Sequence, residues 1–185
     1  MLYEFDGRIP NISGSAYISE LATVIGDVVI AENSYIGHGA ILRGDYGRIE
    51  IGPGTAVEEG VIIHAPPENV CRIGQKVTLG HGAVIHAQRI ADFAVIGMGA
   101  ILSIRSDVGE WAIVAEGAVV KLRQSIPDRV VAAGNPAAIV RDICDRDLAF
   151  WNYGKQLYID LAAKYLRVGM HRLPTAGETI STPHP

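Results

Sequence analysis

The sequence predicts an all-β chain with a C-terminal helix: a left-handed parallel β-helix, a triangular prism of hexapeptide repeats, with one α-helix packed along it. Three observations predict it. Aliphatic residues recur every six positions, as Ile12, Ile18, Val24, Ile30, Ile36 and Leu42, then Ile51, Val57 and Ile63, then Ile73, Leu79 and Ile85, then Ile90 through Val120. A small residue stands four places after most of them (Ala16, Ala22, Ala40, Ala83, Ala100), and glycine often follows directly, as at Gly37, Gly52, Gly80 and Gly97. The composition agrees, with 21 glycines, 19% charged and 6% aromatic residues, a mix suited to tight turns and small side chains.

A period of six fits neither a 3.6-residue helix nor a long period-two strand. It fits short strands joined by corners, the aliphatic residue filling the axis and the small residue sitting where bulk would clash. Three hexads make one triangular coil, so residues 10 to 125 hold six or seven coils. Stability then comes from stacking neighbours, because no hexad buries its own apolar face.

The phase breaks twice, and the inserted residues Gly44–Glu50 and Ala65–Arg72 are expected to leave the prism as loops, where sites tend to lie. Pro127, Pro136 and the run Val130–Ala137 end the repeats. From Asp145 to Arg167 the spacing changes to steps of three and four, with Phe150, Tyr153, Leu157, Leu161, Tyr165 and Val168 as the apolar face of an amphipathic helix and Gly154 as a point of interruption. The chain thus divides into a prism over 1–140, a helical segment over 141–170 and a mobile tail over 171–185.

The length of 185 residues suits one domain with a sizeable core. A net charge of -4 with interspersed signs leaves no footprint for nucleic acid or a membrane surface. No signal peptide and no apolar run of spanning length is evident. Cys71 and Cys144 form no CxxC, which fits a reducing cytoplasm.

His64, His81 and His86 stand in the middle of this aliphatic pattern, where imidazole has little structural use. Three histidines with an open fourth position are the protein's part of a catalytic zinc site. His64 and His81 lie about one coil apart, roughly 4.8 Å along the prism. His81 and His86 are five apart across a corner. One prism can present two of them to one point and the third elsewhere, and association about a threefold axis would reunite them across a subunit interface.

The hexads, Leu42-Arg43-Gly44-Asp45, Glu59-Gly60-Val61-Ile62-Ile63-His64 and Leu79-Gly80-His81-Gly82-Ala83-Val84-Ile85-His86 resemble the γ-class carbonic anhydrases and their relatives over residues 8 to 168. Arg43-Gly44-Asp45-Tyr46-Gly47 is most similar to the branch associated with phenylacetate degradation and carnitine metabolism. The resemblance implies a homotrimer with a metal at each interface, His64 and His86 from one subunit, and His81 from its neighbour. It also implies that Arg43 and Asp45 match an arginine–acid pair across the interface; an ordinary solvated loop pair is the plain alternative.

The chain departs from that pattern. Where the family commonly carries Gln near the metal and Asn two residues earlier, Glu58 and Ala56 stand here. The long acidic loop of the archetype is reduced to Ala65–Val70, with Glu68 its only acid. Tyr158 matches a helix tyrosine near the pocket in relatives, and would otherwise be a packing residue.

The implied reaction is reversible hydration of CO2 to bicarbonate, with water activated near neutral pH by Zn2+, for which Fe2+, Co2+ or Ni2+ could stand in. Glu58 and Glu68 are the candidates for exporting the proton. Two other readings stay open. Hexapeptide prisms also carry acyltransferases, and Gly134-Asn135-Pro136-Ala137 resembles their ending, so transfer or hydrolysis of an acyl-CoA thioester is one. A non-catalytic metal-binding or assembly protein is the other. Gly37-His38-Gly39 copies the context of His81 without its partners and reads as a prism corner; Trp111 and Trp151 read as packing residues, and Cys71 as a minor candidate ligand.

Overall fold

The computed structural model describes residues 1–173; the expected mobile tail, apart from 171–173, lies outside them. The chain winds as a parallel β-solenoid. On one face seven parallel strands stack, and Ile18, Ile36, Val57, Leu79, Ile96, Val114 and Ala132 follow one another in register. The other two faces join in a 12-stranded sheet, because the long strands Thr23–Ile30 and Ile41–Ile51 each round a corner and pair on both sides of it. The axial aliphatics, from Val24 to Val120, form one continuous core at 0–3% exposure. Full burial of each such side chain contributes about 1.5–3 kcal/mol, which is what fixes the six-residue phase.

The two phase breaks are built differently from the loops expected. Gly44–Glu50 does not leave the prism. It lies within the 11-residue strand Ile41–Ile51, whose pairing shifts register so that Gly26 faces Gly44 but Val28 faces Ile49. Extra residues are absorbed as a bulge while both flanks keep their ladder. Gly47 is required there, since a Cβ would run into the carbonyls of Pro66 and Asn69. In the second insertion only residues 65–69 are loop; Val70–Ile73 is already strand, pairing with Arg48–Ile51.

After Ala133 the chain reverses, and Ala138–Asp142 pairs antiparallel with Val130–Ala133. A capping box at Cys144 then opens a single uninterrupted helix, Asp145–Val168, with Asp145 and Asp147 in its first turn; Gly154 does not break it. The helix lies on the seven-stranded face, by only part of the apolar stripe expected. Lys155 and Ala162 are its buried residues, with Tyr158, Leu161 and Tyr165 packed against Tyr17 and Tyr35, whereas Phe150, Tyr153, Leu157 and Val168 are exposed. The prism offers polar corners beneath the helix, so the side that docks is the one bearing hydroxyls.

Candidate metal centre

His64 closes the strand Ile62–His64 and sits in register with Arg43; His86 follows Val84–Ile85, one turn further along. Stacking at one strand spacing brings the two imidazoles together, with ring centroids 5.0 Å apart and planes at 78°. Both nitrogens of His64 and Nδ1 of His86 are buried without a hydrogen-bond partner. Burial, then the charge of Arg43, push both imidazoles below their ordinary value, and at His64 the neighbouring His86 lowers it further. These are neutral rings with free lone pairs, the form that ligates a metal. Their chemistry fits a borderline cation such as zinc.

Arg43 and Asp45 bracket this pair. Arg43 Nη1 donates to Asp45 Oδ2 at 2.8 Å, and Asp45 Oδ1 lies 3.5 Å from His64 Nε2. Burial opposes ionisation of Asp45, but the Arg43 hydrogen bond and charge win and hold its carboxyl below the usual range.

His81 stands elsewhere. It follows Thr78–Leu79 on the helix-bearing face and occupies a corner stacked above Glu59 and His38, as the ladder Gly60 N–His38 O and Gly82 N–Glu59 O records. Its Nε2 lies 3.2 Å from Glu58 Oε2 and its Nδ1 2.9 Å from Glu59 Oε2, while its backbone N–H donates to Glu58. Among the described residues of one chain, no three His, Cys, Asp or Glu side chains converge to hold a metal.

Glu58 is 6% exposed, and burial raises its pKa against the lowering pull of His81 and Tyr158. The Tyr158 hydroxyl reaches the same carboxyl, and burial, then Glu58, push that phenol up. Tyr158 is therefore more than packing. Glu68, by contrast, is exposed at the tip of the 65–69 loop, with a left-handed φ of 58°. Cys71 points into the core, paired in register with Ile49, and burial pushes its thiol up to about 12, so it is no candidate ligand as folded.

Two residues, Glu59 and Lys155, were not singled out in the sequence, and His38, read as a corner, has partners there. Glu59 links His81 to Tyr35, whose hydroxyl donates to Glu59 Oε1 at 2.7 Å. The hexad phase does place 38, 59 and 81 at one corner, and that register is the signal that could have found it. His38, expected without partners, is hydrogen-bonded at both nitrogens, to Ser19 Oγ at 2.6 Å and to the Tyr165 hydroxyl at 3.3 Å. Lys155 is 2% exposed, its Nζ donating to Thr78 Oγ1 and Ala94 O at 3.3 Å each and lying 5.8 Å from the Trp151 ring. Burial lowers its pKa to about 7, against the attraction of Glu58.

No protein-family model matches the chain. Among curated proteins it is 37% identical to a carbonic anhydrase of Geobacillus kaustophilus over 176 residues, 95% of this chain and 97% of that one. It is 34% identical to the carnitine operon protein CaiE of a Proteus species, covering 88% and 83%. It is also 36% identical to a mitochondrial γ carbonic anhydrase 2 of Arabidopsis thaliana, covering 84% of this chain and 58% of that protein. Among solved structures, a hexapeptide transferase family protein of Anaplasma phagocytophilum superposes with a TM-score of 0.84 at 30% identity, covering 89% and 97%. A putative acetyltransferase of Bacillus cereus does so at 0.88 and 28% identity, covering 90% and 97%.

Proposed function

We propose a reaction for this chain from the premise that it belongs to the γ-class carbonic anhydrase family: reversible hydration of CO2 at a metal shared between subunits of a homotrimer. The observation that carries it is a half-built site. His64 and His86 offer three buried nitrogens without a hydrogen bond, and no third ligand converges on them among the described residues.

A neighbouring copy supplies the third ligand in this reading. The strand face that carries His64 and His86 also carries an aliphatic ladder paired in register from strand to strand, exposed at Ile41, Ile62 and Ile101 and half-buried at Val84 and Val119. Such a continuous apolar surface favours association. Seating it against a second prism would bring the neighbour's His81 corner to the histidine pair. Zn2+ is the default ion, with Fe2+, Co2+ or Ni2+ fitting the same nitrogens.

The metal, when bound, supplies Lewis acidity that makes water nucleophilic near neutral pH, at a pKa of about 7 in the three-histidine zinc sites from which that figure comes. The chain's residues do the rest. His64, His86 and the neighbour's His81 hold the ion. Glu58 Oε2, already within reach of the His81 ring, accepts the proton as CO2 and water become bicarbonate and H+. Tyr158 fixes the rotamer of Glu58, and the exposed Glu68 is the alternative carrier of the proton to solvent. Arg43 and Asp45, paired within the chain, set the charge around His64. The unpaired thiols of Cys71 and Cys144 support a reducing, cytoplasmic setting. No helix among the described residues is long and apolar enough to cross a membrane.

The test is metal content alongside CO2 hydration. One metal per chain and hydration lost in His81→Ala support the reading, and absence of metal from every preparation contradicts it. The likeness to a hexapeptide transferase family protein favours a second reading, transfer or hydrolysis of an acyl-CoA thioester. Thioester turnover without CO2 hydration would decide for it.

A further inference from the structure

We propose that Arg8 is a positioning residue: the N-terminal arm is a latch that fixes the bulge carrying Asp45 beside His64. The functional consequence rests on the reaction proposed above; the mechanical part does not.

The bulge lies where the ladder is interrupted. Thr23–Ile30 loses register against Ile41–Ile51 between Gly26 and Val28, opposite Asp45–Arg48. The N-terminal arm straddles that break. Leu2–Tyr3 pairs with Val24–Ile25 on one side of it, and Asn11–Ile12 pairs with Val29–Ile30 on the other. Between the two anchors the arm makes a tight hairpin, Phe5 and Arg8 exchanging backbone hydrogen bonds of 3.0 Å each. Both central residues, Asp6 at φ 51° and Gly7 at φ 72°, have the positive φ that a type I′ turn requires, and Asp-Gly is a favoured pair for it. The turn aims Arg8 at the bulge. Its Nη1 donates to Asp45 O at 3.0 Å and to Tyr46 O at 2.9 Å.

The far end of the bulge is tied down separately. Gly47 N–H donates to Ala65 O and Arg48 N–H to Asn69 O, each at 3.0 Å, and Arg48 Nη1 holds Asp27 at 3.1 Å. Between Gly44 and Gly47, the cross-chain hold on the carbonyls of Asp45 and Tyr46 is the guanidinium of Arg8. Asp45 is the residue whose carboxylate meets both Arg43 and His64. One guanidinium nitrogen, with two hydrogens to give, reaches both successive carbonyls and fixes the peptide between them. Arg8 touches no reacting atom; it sets where Asp45 stands, and a shift of about 1 Å near a reacting centre is enough to be felt in rate.

Amide hydrogen exchange on the metal-free chain tests the latch directly. Arg8→Ala should raise exchange at Tyr46, Gly47 and Arg48 by about tenfold while Leu42 and Ile63 keep their protection. On the metal-loaded protein, Arg8→Ala should lower kcat/KM for CO2 by about tenfold, Arg8→Lys should recover part of it, and the loss should vanish in an Asp45→Asn background, because both variants remove the same placement. Unchanged exchange at 46–48 overturns the latch. Losses that multiply in the Arg8→Ala, Asp45→Asn double variant overturn the route through Asp45. A wild type that hydrates no CO2 overturns the reaction proposed above, and the exchange readout still decides the latch.

Discussion

The two histidine-bearing regions of this molecule are opposites. On the strand face, His64 and His86 are crowded together with three of their four ring nitrogens buried and without a hydrogen bond, beside a partly exposed aliphatic ladder. At the corner, His81 has a carboxylate at each ring nitrogen, and those carboxylates are held by Tyr158 and Tyr35. A buried polar group without a partner costs about 1–3 kcal/mol, so natural chains seldom keep three together without a use. The contrast is that one region is satisfied within the chain and the other is left open. A metal and a neighbouring subunit are what the proposed function adds.

The comparison breaks most completely if a ligand is removed. His81→Ala should abolish CO2 hydration, by roughly a thousandfold or more, and empty the site of metal while far-ultraviolet circular dichroism stays unchanged. Next in size is the apolar ladder. Ile62→Asp puts a charge into a surface that association would bury, so the chain should elute as a monomer, its prism intact and its activity gone. Elution unchanged from wild type would remove the ladder from the interface. Glu58→Gln keeps the shape of the carboxyl but not its basicity. It should lower hydration by about a hundredfold with metal retained, and loss of metal instead would make Glu58 a support for His81 rather than a proton acceptor.

Much of the fold was legible because the prism axis admits one kind of residue. A polar residue on the axis would have nowhere to hydrogen-bond, so the run from Ile12 to Val120 fixes coil after coil. The bulge was not legible, since inserted residues look alike whether they leave a strand or slip within it; only the paired register of Gly26 with Gly44 and Val28 with Ile49 separates the cases. The docking face of the helix was hidden for another reason. Apolar periodicity points to Phe150, Tyr153, Leu157, Leu161, Tyr165 and Val168, yet the surface beneath the helix carries Glu58, Glu59 and His38, and it keeps only Leu161 and Tyr165 of these and adds Tyr158 and Lys155. The histidine triplet was visible in sequence, and its division into a pair and a single follows from register, as does the place of Glu59 beside His81; that the buried Glu58 carboxyl turns to the same ring does not.

Lys155 sharpens the comparison from the corner side. Its pKa is lowered to about 7 from 10.5 by burial. As pH falls from about 10.5 to about 7 the unfolded chain takes up a proton that the folded chain does not, so stability declines over that window and is level below it. Lys155→Met should therefore raise stability at pH 7 by about 2 kcal/mol and flatten the alkaline limb of a plot of Tm against pH. A destabilised variant would mean that the Thr78 and Ala94 hydrogen bonds outweigh desolvation.

The smallest effect belongs to the strand face. Because burial lowers the pKa of His64 and His86, the unfolded chain gains protons first as pH drops below the ordinary imidazole range. Metal-free protein should lose stability on acidification through that range, and His86→Ala should make the loss shallower. A slope unchanged by that variant would mean His86 stays protonated as readily folded as unfolded.

The claim that one site is divided between two chains is tested most directly by mixing two inactive variants. His64→Ala and His81→Ala chains, unfolded and refolded together in equal amounts, form some interfaces in which the intact His64–His86 pair of one chain meets the intact His81 of the other. Random mixing predicts recovery of about a quarter of the wild-type activity. A mixture as inactive as its components would contradict a shared site.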